Sequence, residues 1–93
     1  MKKTTVVNMK TCAFGVSVDD VQITRGTQWG NPFVIGPDGN RDQVCDKYRK
    51  LYEHDAAFLM AVRRLLSGKR LGCVCKPLRC HGDWLAKVAN GQI

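Results

Sequence analysis

Two amphipathic helix patterns placed between strand signals constrain the fold of this 93-residue chain more than any other feature. The first pattern covers Asp42–Glu53 and the second follows Asp55, with apolar residues recurring at helical spacing in both. Strand signals precede them at Thr4–Met9 and Val16–Thr24, and another follows at Leu71–Cys75. Because a helical crossover between strands favours parallel pairing, the sequence predicts a small α/β sandwich with a short, partly parallel sheet.

The helix boundaries and a closing helix complete this prediction. Asp55 or a neighbour can cap the second helix, and Ser67-Gly68 ends it because glycine accepts the left-handed backbone conformation. A third helix is expected from about Gly82 to Asn90. We therefore expect about three helices in two or three layers, within a single domain of residues 1–93. The residues expected to face the core from the first two helices are Val44, Tyr48, Leu51, Tyr52, Phe58, Leu59, Val62, Leu65 and Leu66.

The composition excludes several classes of protein. With 44% apolar and 25% charged residues, the chain has the make-up of a globular domain rather than of a disordered tail. No apolar run approaches the roughly 18 residues needed to cross a bilayer, and the first residues lack the apolar region of a signal peptide. We therefore expect a cytoplasmic protein that does not interact with a membrane.

The charge balance is strongly basic, with 15 lysines and arginines against 8 acidic residues and a formal net charge of +7. Such an excess favours polyanionic partners such as nucleic acid, a nucleotide or an acidic protein surface. The same excess can also serve solubility alone. The positive residues are scattered in short groups such as Lys2-Lys3 and Arg63-Arg64, and they form no continuous basic tail.

The loop RGTQWGNPF, residues 25–33, is the first segment that could carry chemistry. Its glycines would let the backbone approach a ligand closely, and its arginine offers a forked donor for a phosphate or carboxylate. Its tryptophan could stack on a base or sugar, and its asparagine could hydrogen-bond a polar edge. The alternative is a tight turn whose aromatic residues close one end of the core. The candidate ligand-binding residues are Arg25, Gly26, Trp29, Gly30 and Asn31.

The segment LGCVCKPLRCHGD, residues 71–83, is the second candidate. Cys80 and His81 fall at the start of the last helix, where free backbone N–H groups and the helix dipole favour an anion or a thiolate. We therefore expect a lowered thiol pKa, which suits a nucleophile, and the same donors would suit a phosphate. Lys76 and Arg79 add positive charge nearby and are further ligand-binding candidates. The candidate catalytic residues are Cys80 or Cys75 as nucleophile and His81 or Asp83 as acid–base partner.

The same segment admits two other interpretations. Three cysteines and one histidine could bind zinc, although their spacing is unusual and adjacent ligands would be strained. Alternatively the segment is purely structural, with a buried cysteine, Pro77 shaping the loop and Asp83 capping the helix. A disulfide framework is not expected, because the cysteine count of five is odd and the cytoplasm is reducing. The potential zinc ligands are Cys73, Cys75, Cys80 and His81.

The two loops together resemble domain of unknown function 4326, a family of small uncharacterised domains from bacteriophage and bacterial genomes. The matching segments are Val6-Val7-Asn8, Arg25-Gly26, Trp29–Phe33 and Leu71–Asp83. The resemblance implies a Rossmann-like α/β core and a phage or mobile-element origin, which would place the protein in the host cytoplasm. It implies no reaction and no substrate.

The sequence thus supports one main hypothesis and two alternatives. In the main hypothesis, loops 25–33 and 75–83 form a shared pocket for a phosphate-bearing nucleotide or nucleic-acid end. Whether cysteine-dependent catalysis follows, and hence whether the chain is an enzyme, stays open. The first alternative is a non-catalytic basic protein that binds nucleic acid or a host protein. The second is an interaction module stabilised by zinc, the one cofactor that the residues suggest.

Overall fold

Three short strands and three helices make up the fold in the computed structural model, which describes residues 2–93. The chain begins with two strands, continues with two helices, and ends with a third strand and a third helix. The elements are β1 (Thr5–Asn8), β2 (Asp20–Gln22), α1 (Arg41–Tyr52), α2 (Ala56–Leu65), β3 (Arg70–Cys73) and α3 (His81–Ala89). The predicted small α/β fold is confirmed, with each element within a few residues of its expected place.

β3 is the central strand of a three-stranded parallel sheet in the order β1-β3-β2. Val6 of β1 and Val21 of β2 both lie opposite Leu71, one on each side of β3. The connection from β2 to β3 contains α1 and α2, which is the crossover that parallel pairing requires. Because the three strands run in one direction, the loops after β2 and β3 leave from the same edge of the sheet.

The two faces of the sheet are covered differently. On one face, Val6, Val21 and the fully buried Leu71 pack into the core beneath the helices. On the other face, Met9 and Phe14 from the loop after β1 lie directly over Gly72, where a Cβ atom would collide with both side chains. Glycine at this position therefore lets a loop, rather than a helix, close the second face of the sheet.

The helical layer packs around Tyr48, which is fully buried on α1. Its ring makes edge contacts with Tyr52 and Trp84 at centroid distances of 5.0 and 6.0 Å. Its hydroxyl donates a 2.8 Å hydrogen bond to the carbonyl of Trp29, so a polar group in the core is satisfied. Tyr48 thereby fastens the loop after β2 to the helical layer.

The buried faces of α1 and α2 differ from the prediction at one residue each. Leu51 and Leu65 were expected in the core, but they are 49% and 53% exposed. Each lies three positions after the residue at the centre of the buried stripe, on the edge of the helix that faces solvent. On α1 the small Cys45, on the opposite edge of the same stripe, is buried instead.

The helix ends follow ordinary capping chemistry. The Asp55 carboxylate accepts a 3.0 Å hydrogen bond from the Phe58 N–H and begins α2, as predicted. Gly68 follows this helix with φ +73°. α1 begins one residue before its predicted start, because Asn40 and Gln43 form a capping box. None of the helices within residues 2–93 combines the length and apolar content needed to span a membrane.

Candidate functional site

The two loops singled out by the sequence line one pocket of about 180 Å³, together with the first turns of α1. It lies where the chain leaves β2 and β3, at the edge of the sheet where α/β folds commonly bind ligands. Residues from the beginning and end of the tryptophan-containing loop (25–33) form one part of the wall. Residues of the cysteine-containing loop (74–81) form another part. The lining residues are Arg25, Asn31, Phe33, Ile35, Arg41, Val44, Cys45, Val74, Cys75, Arg79, Cys80 and His81.

Among residues 2–93, three arginines and no acidic residue line the pocket. Arg25 is exposed, and within the described residues 2–93 its side chain forms one hydrogen bond, to the Phe33 carbonyl at 3.5 Å. Arg41 donates a 3.2 Å hydrogen bond to the Arg79 carbonyl and keeps further N–H donors. Across residues 2–93, neither Arg25 nor Arg41 forms an ion pair with a carboxylate. Two guanidinium groups are therefore available for an anion.

The third arginine, Arg79, is already paired. Its guanidinium lies 3.0 Å from the carboxylate of Asp42 and 2.7 Å from that of Asp46, both on α1. The hydrogen bond from Arg79 holds the pKa of the Asp46 carboxyl below its usual range. These contacts tie the cysteine-containing loop to α1 and neutralise the charge of Arg79 in the absence of a ligand.

An apolar rim adjoins the arginines. Ile35 and Val74 are about half exposed, at 50% and 47%, and the half-buried Phe33, at the end of the first loop, lines the same pocket. The Lys47 ammonium sits 5.8 Å from the centroid of the Phe33 ring, on the outer side. The pocket therefore combines cationic donors with an exposed apolar surface, which suits a ligand with an anionic end and a less polar body.

Trp29 does not line this pocket. Its side chain is 4% exposed and packs in the core, with its ring edge against Phe58 at a centroid distance of 5.8 Å. Its carbonyl is held by the Tyr48 hydroxyl. The stacking role expected for Trp29 is therefore not supported, because the indole is unavailable to a ligand. Phe33 is the aromatic residue that the pocket presents.

Three other candidate residues of the first loop stabilise the loop conformation. They do not offer the pocket a side-chain hydrogen-bond donor that is free to bind a ligand. Asn31 lines the pocket, but its amide donates to the Val44 carbonyl at 3.1 Å and accepts from the Phe33 N–H at 2.9 Å. Gly26 has φ +95°, and Gly30 lies so close to the Thr24 carbonyl that a Cβ would approach it to 2.7 Å. The glycines therefore serve the turn, and neither belongs to the wall of the pocket.

The N-terminus of α3 is occupied by a carboxylate of the protein itself, that of Asp83, whereas the sequence predicted that it would bind an anionic ligand. The Asp83 carboxylate accepts a 3.2 Å hydrogen bond from the Cys80 N–H and forms an ion pair with Lys76. Lys76 and Asp83 neutralise each other, and neither lines the pocket. The capping role considered for Asp83 agrees with this geometry.

The cysteines are all free thiols, but Cys80 is not an activated one. It is 3% exposed, and this burial raises its pKa to about 12, the reverse of the lowering expected at a helix N-terminus. Burial also raises the pKa of Cys45, which forms part of the pocket floor. Cys73 is buried in the core. Cys75 is half-buried and lines the pocket, so it is the more accessible of the two proposed nucleophiles.

His81 is oriented by the backbone of the neighbouring strand segment. Its Nε2 lies 2.9 Å from the Ile23 carbonyl, to which it donates, and its ring packs 4.8 Å from that of Tyr48. Burial lowers the pKa of the imidazole, which is therefore neutral near pH 7. Its Nε2–H group is thus engaged by a backbone carbonyl, and this contact argues against the proposed acid–base role.

The four suggested zinc ligands do not form a metal site in this arrangement. Within residues 2–93, no three cysteine, histidine, aspartate or glutamate side chains are grouped so that they could hold a metal ion. The reason is visible at His81, whose ring is directed to the Ile23 carbonyl. The donor set therefore does not fit tetrahedral zinc.

Six residues that line the pocket were not assigned to it from the sequence: Phe33, Ile35, Arg41, Val44, Cys45 and Val74. Phe33 was considered only as one of the aromatic residues that could close one end of the core. A signal for Arg41 does exist, because it occupies the first position of a helix, where the dipole disfavours a cation.

Comparisons with known proteins agree with the resemblance drawn from the loops. The family model described as Domain of unknown function (DUF4326) matches residues 7–91. An uncharacterised 12.4 kDa protein in the nrdA-td intergenic region of Enterobacteria phage T4 is 40% identical over 75 residues, covering 76% of this chain and 68% of its own. No solved structure matches the chain.

Proposed function

This chain belongs to the DUF4326 family of domains of unknown function, and we propose that it binds the phosphate end of a nucleotide or nucleic acid in the pocket between its two loops. The observation that carries the proposal is the convergence of Arg25 and Arg41, both without carboxylate partners in residues 2–93, on a pocket that contains no acidic side chain. Two arginines from separate elements provide forked donors that match phosphate oxygens.

The neighbouring side chains favour an organic phosphate over a free inorganic anion. Phe33, Ile35 and Val74 offer apolar surface beside the arginines, and a sugar or base can cover this surface. Inorganic phosphate would bury none of it. The family resemblance supplies no ligand, so this preference depends on the pocket chemistry alone.

The size of the pocket limits how much of the ligand it can enclose. Its volume of about 180 Å³ lies below the roughly 300–1,000 Å³ of pockets that bury a whole drug-sized molecule. We therefore assign the enclosed part to the phosphate and the adjoining sugar, and we place the base against the exposed rim.

Binding, rather than cysteine catalysis, is the function that the side chains support. A cysteine nucleophile needs a thiolate, whereas burial raises the pKa of Cys80 to about 12. His81 is a neutral imidazole whose Nε2 is engaged by the Ile23 carbonyl. Asp83 is occupied by Lys76 and by the start of α3. Cys75 remains as a half-buried thiol that lines the pocket.

The proposal is tested by calorimetric titration of the purified protein with thymidine 5′-monophosphate, inorganic phosphate and thymidine. We expect the affinity to fall in that order. Substituting Arg25→Gln or Arg41→Gln should each weaken monophosphate binding about tenfold, because each removes a hydrogen bond to a charged group. The control is Arg64→Gln on α2, which removes the same charge from an exposed residue outside the pocket.

Three results would contradict the proposal. They are absence of binding, equal binding of thymidine and its monophosphate, and a loss in Arg64→Gln that matches the loss in Arg25→Gln. The last result would instead favour a second candidate function, sequence-independent binding of nucleic acid over the whole basic surface. The net charge of +7 supports that candidate, and its affinity should fall steeply with salt in every arginine variant alike.

A further inference from the structure

A second cavity, of about 240 Å³, lies beside the pocket and shares part of its wall. Cys45, Arg79, Cys80 and His81 line both cavities. The Arg79 side chain extends from the cysteine-containing loop to the Asp42 and Asp46 carboxylates on α1, so it stands at the boundary between them. We infer that the two cavities are one groove, divided by Arg79, that binds two consecutive phosphates of a single-stranded nucleic acid. This inference rests on the proposed function of the first cavity.

The charges along the groove support a ligand with more than one anionic group. Lys87 lines the second cavity from an exposed position on α3, and within residues 2–93 it has no carboxylate within ion-pair distance. Arg49 lines the same cavity and is paired with Glu53 at 2.8 Å. Asp83 also borders this cavity, but it is neutralised by Lys76. Within residues 2–93, cations without a carboxylate partner therefore lie at both ends of the groove. Lys87 lies at one end, and Arg25 and Arg41 lie at the other.

Arg79 divides the groove without closing it permanently. Its side chain is 43% exposed, and both of its carboxylate partners are on the surface of α1. Exposed ion pairs of this kind contribute little net free energy, so a phosphate can replace a carboxylate as the partner of Arg79 at small cost. A strand lying across the loop would then present one phosphate to each cavity, with Arg79 between them.

A mononucleotide can occupy only one end of such a groove. A 5′-phosphorylated dinucleotide carries two phosphates separated by one nucleoside, and Trp84 and Ile93 add apolar surface in the second cavity. Single-stranded ligands follow this pattern generally, combining backbone contacts to cations with apolar contacts to sugars and bases. The second phosphate should therefore add affinity that depends on the second cavity alone.

The test compares thymidine 5′-monophosphate with the 5′-phosphorylated dinucleotide of thymidine, by calorimetry over a range of salt concentrations. We expect the dinucleotide to bind about tenfold more tightly, as one further charge-assisted contact predicts. Its salt dependence should be steeper by about 0.7 in the slope of log K against log salt. Lys87→Gln should abolish both gains and leave monophosphate binding unchanged, whereas Lys10→Gln, which removes an exposed charge outside both cavities, should change neither.

The outcomes separate the inference from the function on which it rests. Equal affinities for the two ligands, or a dinucleotide gain that survives in Lys87→Gln, would overturn the groove and leave the first pocket standing. Absence of binding by both ligands would overturn the proposed function and the groove together. Circular dichroism of both variants checks that the fold persists.

Discussion

The Nη2 atom of Arg79 lies 2.7 Å from the Asp46 carboxylate, so one of the three arginines of the pocket is occupied by the protein itself. The second partner, Asp42, lies 3.0 Å from Nη1 on the same guanidinium. A bound phosphate must therefore either leave this arginine in place or compete with two carboxylates for it. The ligand affinity should depend on these acids, although neither lines the pocket.

Replacing Asp46 should strengthen ligand binding. In Asp46→Asn the carboxylate charge is lost and Arg79 is freer to turn towards the ligand, so we expect thymidine monophosphate to bind about threefold more tightly, which is the scale of one exposed ion pair. Calorimetric titration measures the change. The matched control is Asp19→Asn, which removes a carboxylate paired with Lys2 and Lys69 away from the pocket. Weaker binding in Asp46→Asn would contradict the competition.

The thiols should differ strongly in their reactivity. Cys12 is exposed and Cys75 is half-buried, whereas Cys80 is 3% exposed with a pKa raised to about 12. With iodoacetamide near pH 8, we expect Cys12 to react first, Cys75 more slowly, and Cys80 not before unfolding. Peptide mass spectrometry at timed intervals measures the order, and bound nucleotide should protect Cys75 alone. Labelling of Cys80 as fast as Cys12 would show that the thiol is accessible and activated after all.

The two aromatic residues of the first loop should have opposite roles. Trp29→Ala removes a buried side chain from the core, and we expect it to lower the free energy of unfolding by about 3–5 kcal/mol. Phe33→Ala should leave stability nearly unchanged and weaken nucleotide binding about tenfold, the scale of one base–aromatic contact. Urea denaturation and calorimetric titration separate the two effects. A stable Trp29→Ala variant that fails to bind would return the stacking role to Trp29.

Protonation of one buried carboxylate, Asp20, should weaken the attachment of the loop after β1 at acid pH. The Arg70 guanidinium donates to Asp20 at 2.8 and 2.9 Å, and these hydrogen bonds lower the pKa of Asp20 from 3.8 to about 2. A carboxylate with a lowered pKa stabilises the fold above its unfolded pKa, and the contribution is lost as pH falls through the folded value. The midpoint temperature of Asp20→Asn should therefore lie below that of the unchanged protein at pH 7, and the gap should close between about pH 4 and pH 2. A gap that stays constant down to about pH 2 would contradict this assignment.

The fold could be predicted largely because its signals are local. The strand patterns, the two helices and their ends at Asp55 and Gly68 each depend on neighbouring residues, and all of them lie where expected within a few positions. Parallel pairing followed from the helical crossover between β2 and β3. The meeting of the two loops could likewise be anticipated from the common edge at which parallel strands end.

The roles of single residues within those loops were less predictable, because they depend on packing. Trp29 and Phe33 are four positions apart in a glycine-containing turn, and which ring is buried depends on contacts with distant residues: the Trp29 ring packs against Phe58, and its carbonyl accepts from the Tyr48 hydroxyl. The helix dipole at Cys80 favours a thiolate, but burial has the larger effect on its pKa. Sequence patterns report the dipole, whereas burial appears only in the folded chain.

The most direct test of the account is a nitrogen–proton correlation spectrum of the labelled protein, recorded during titration with thymidine 5′-monophosphate. We predict saturable shifts concentrated on the amides of Arg25–Phe33, Arg41–Cys45 and Cys75–His81, with little change at the opposite edge around Lys69. The same spectra in Arg25→Gln should show the same shifts only at higher ligand concentration. Shifts that are absent, or that spread evenly over all basic residues, would contradict a built phosphate pocket.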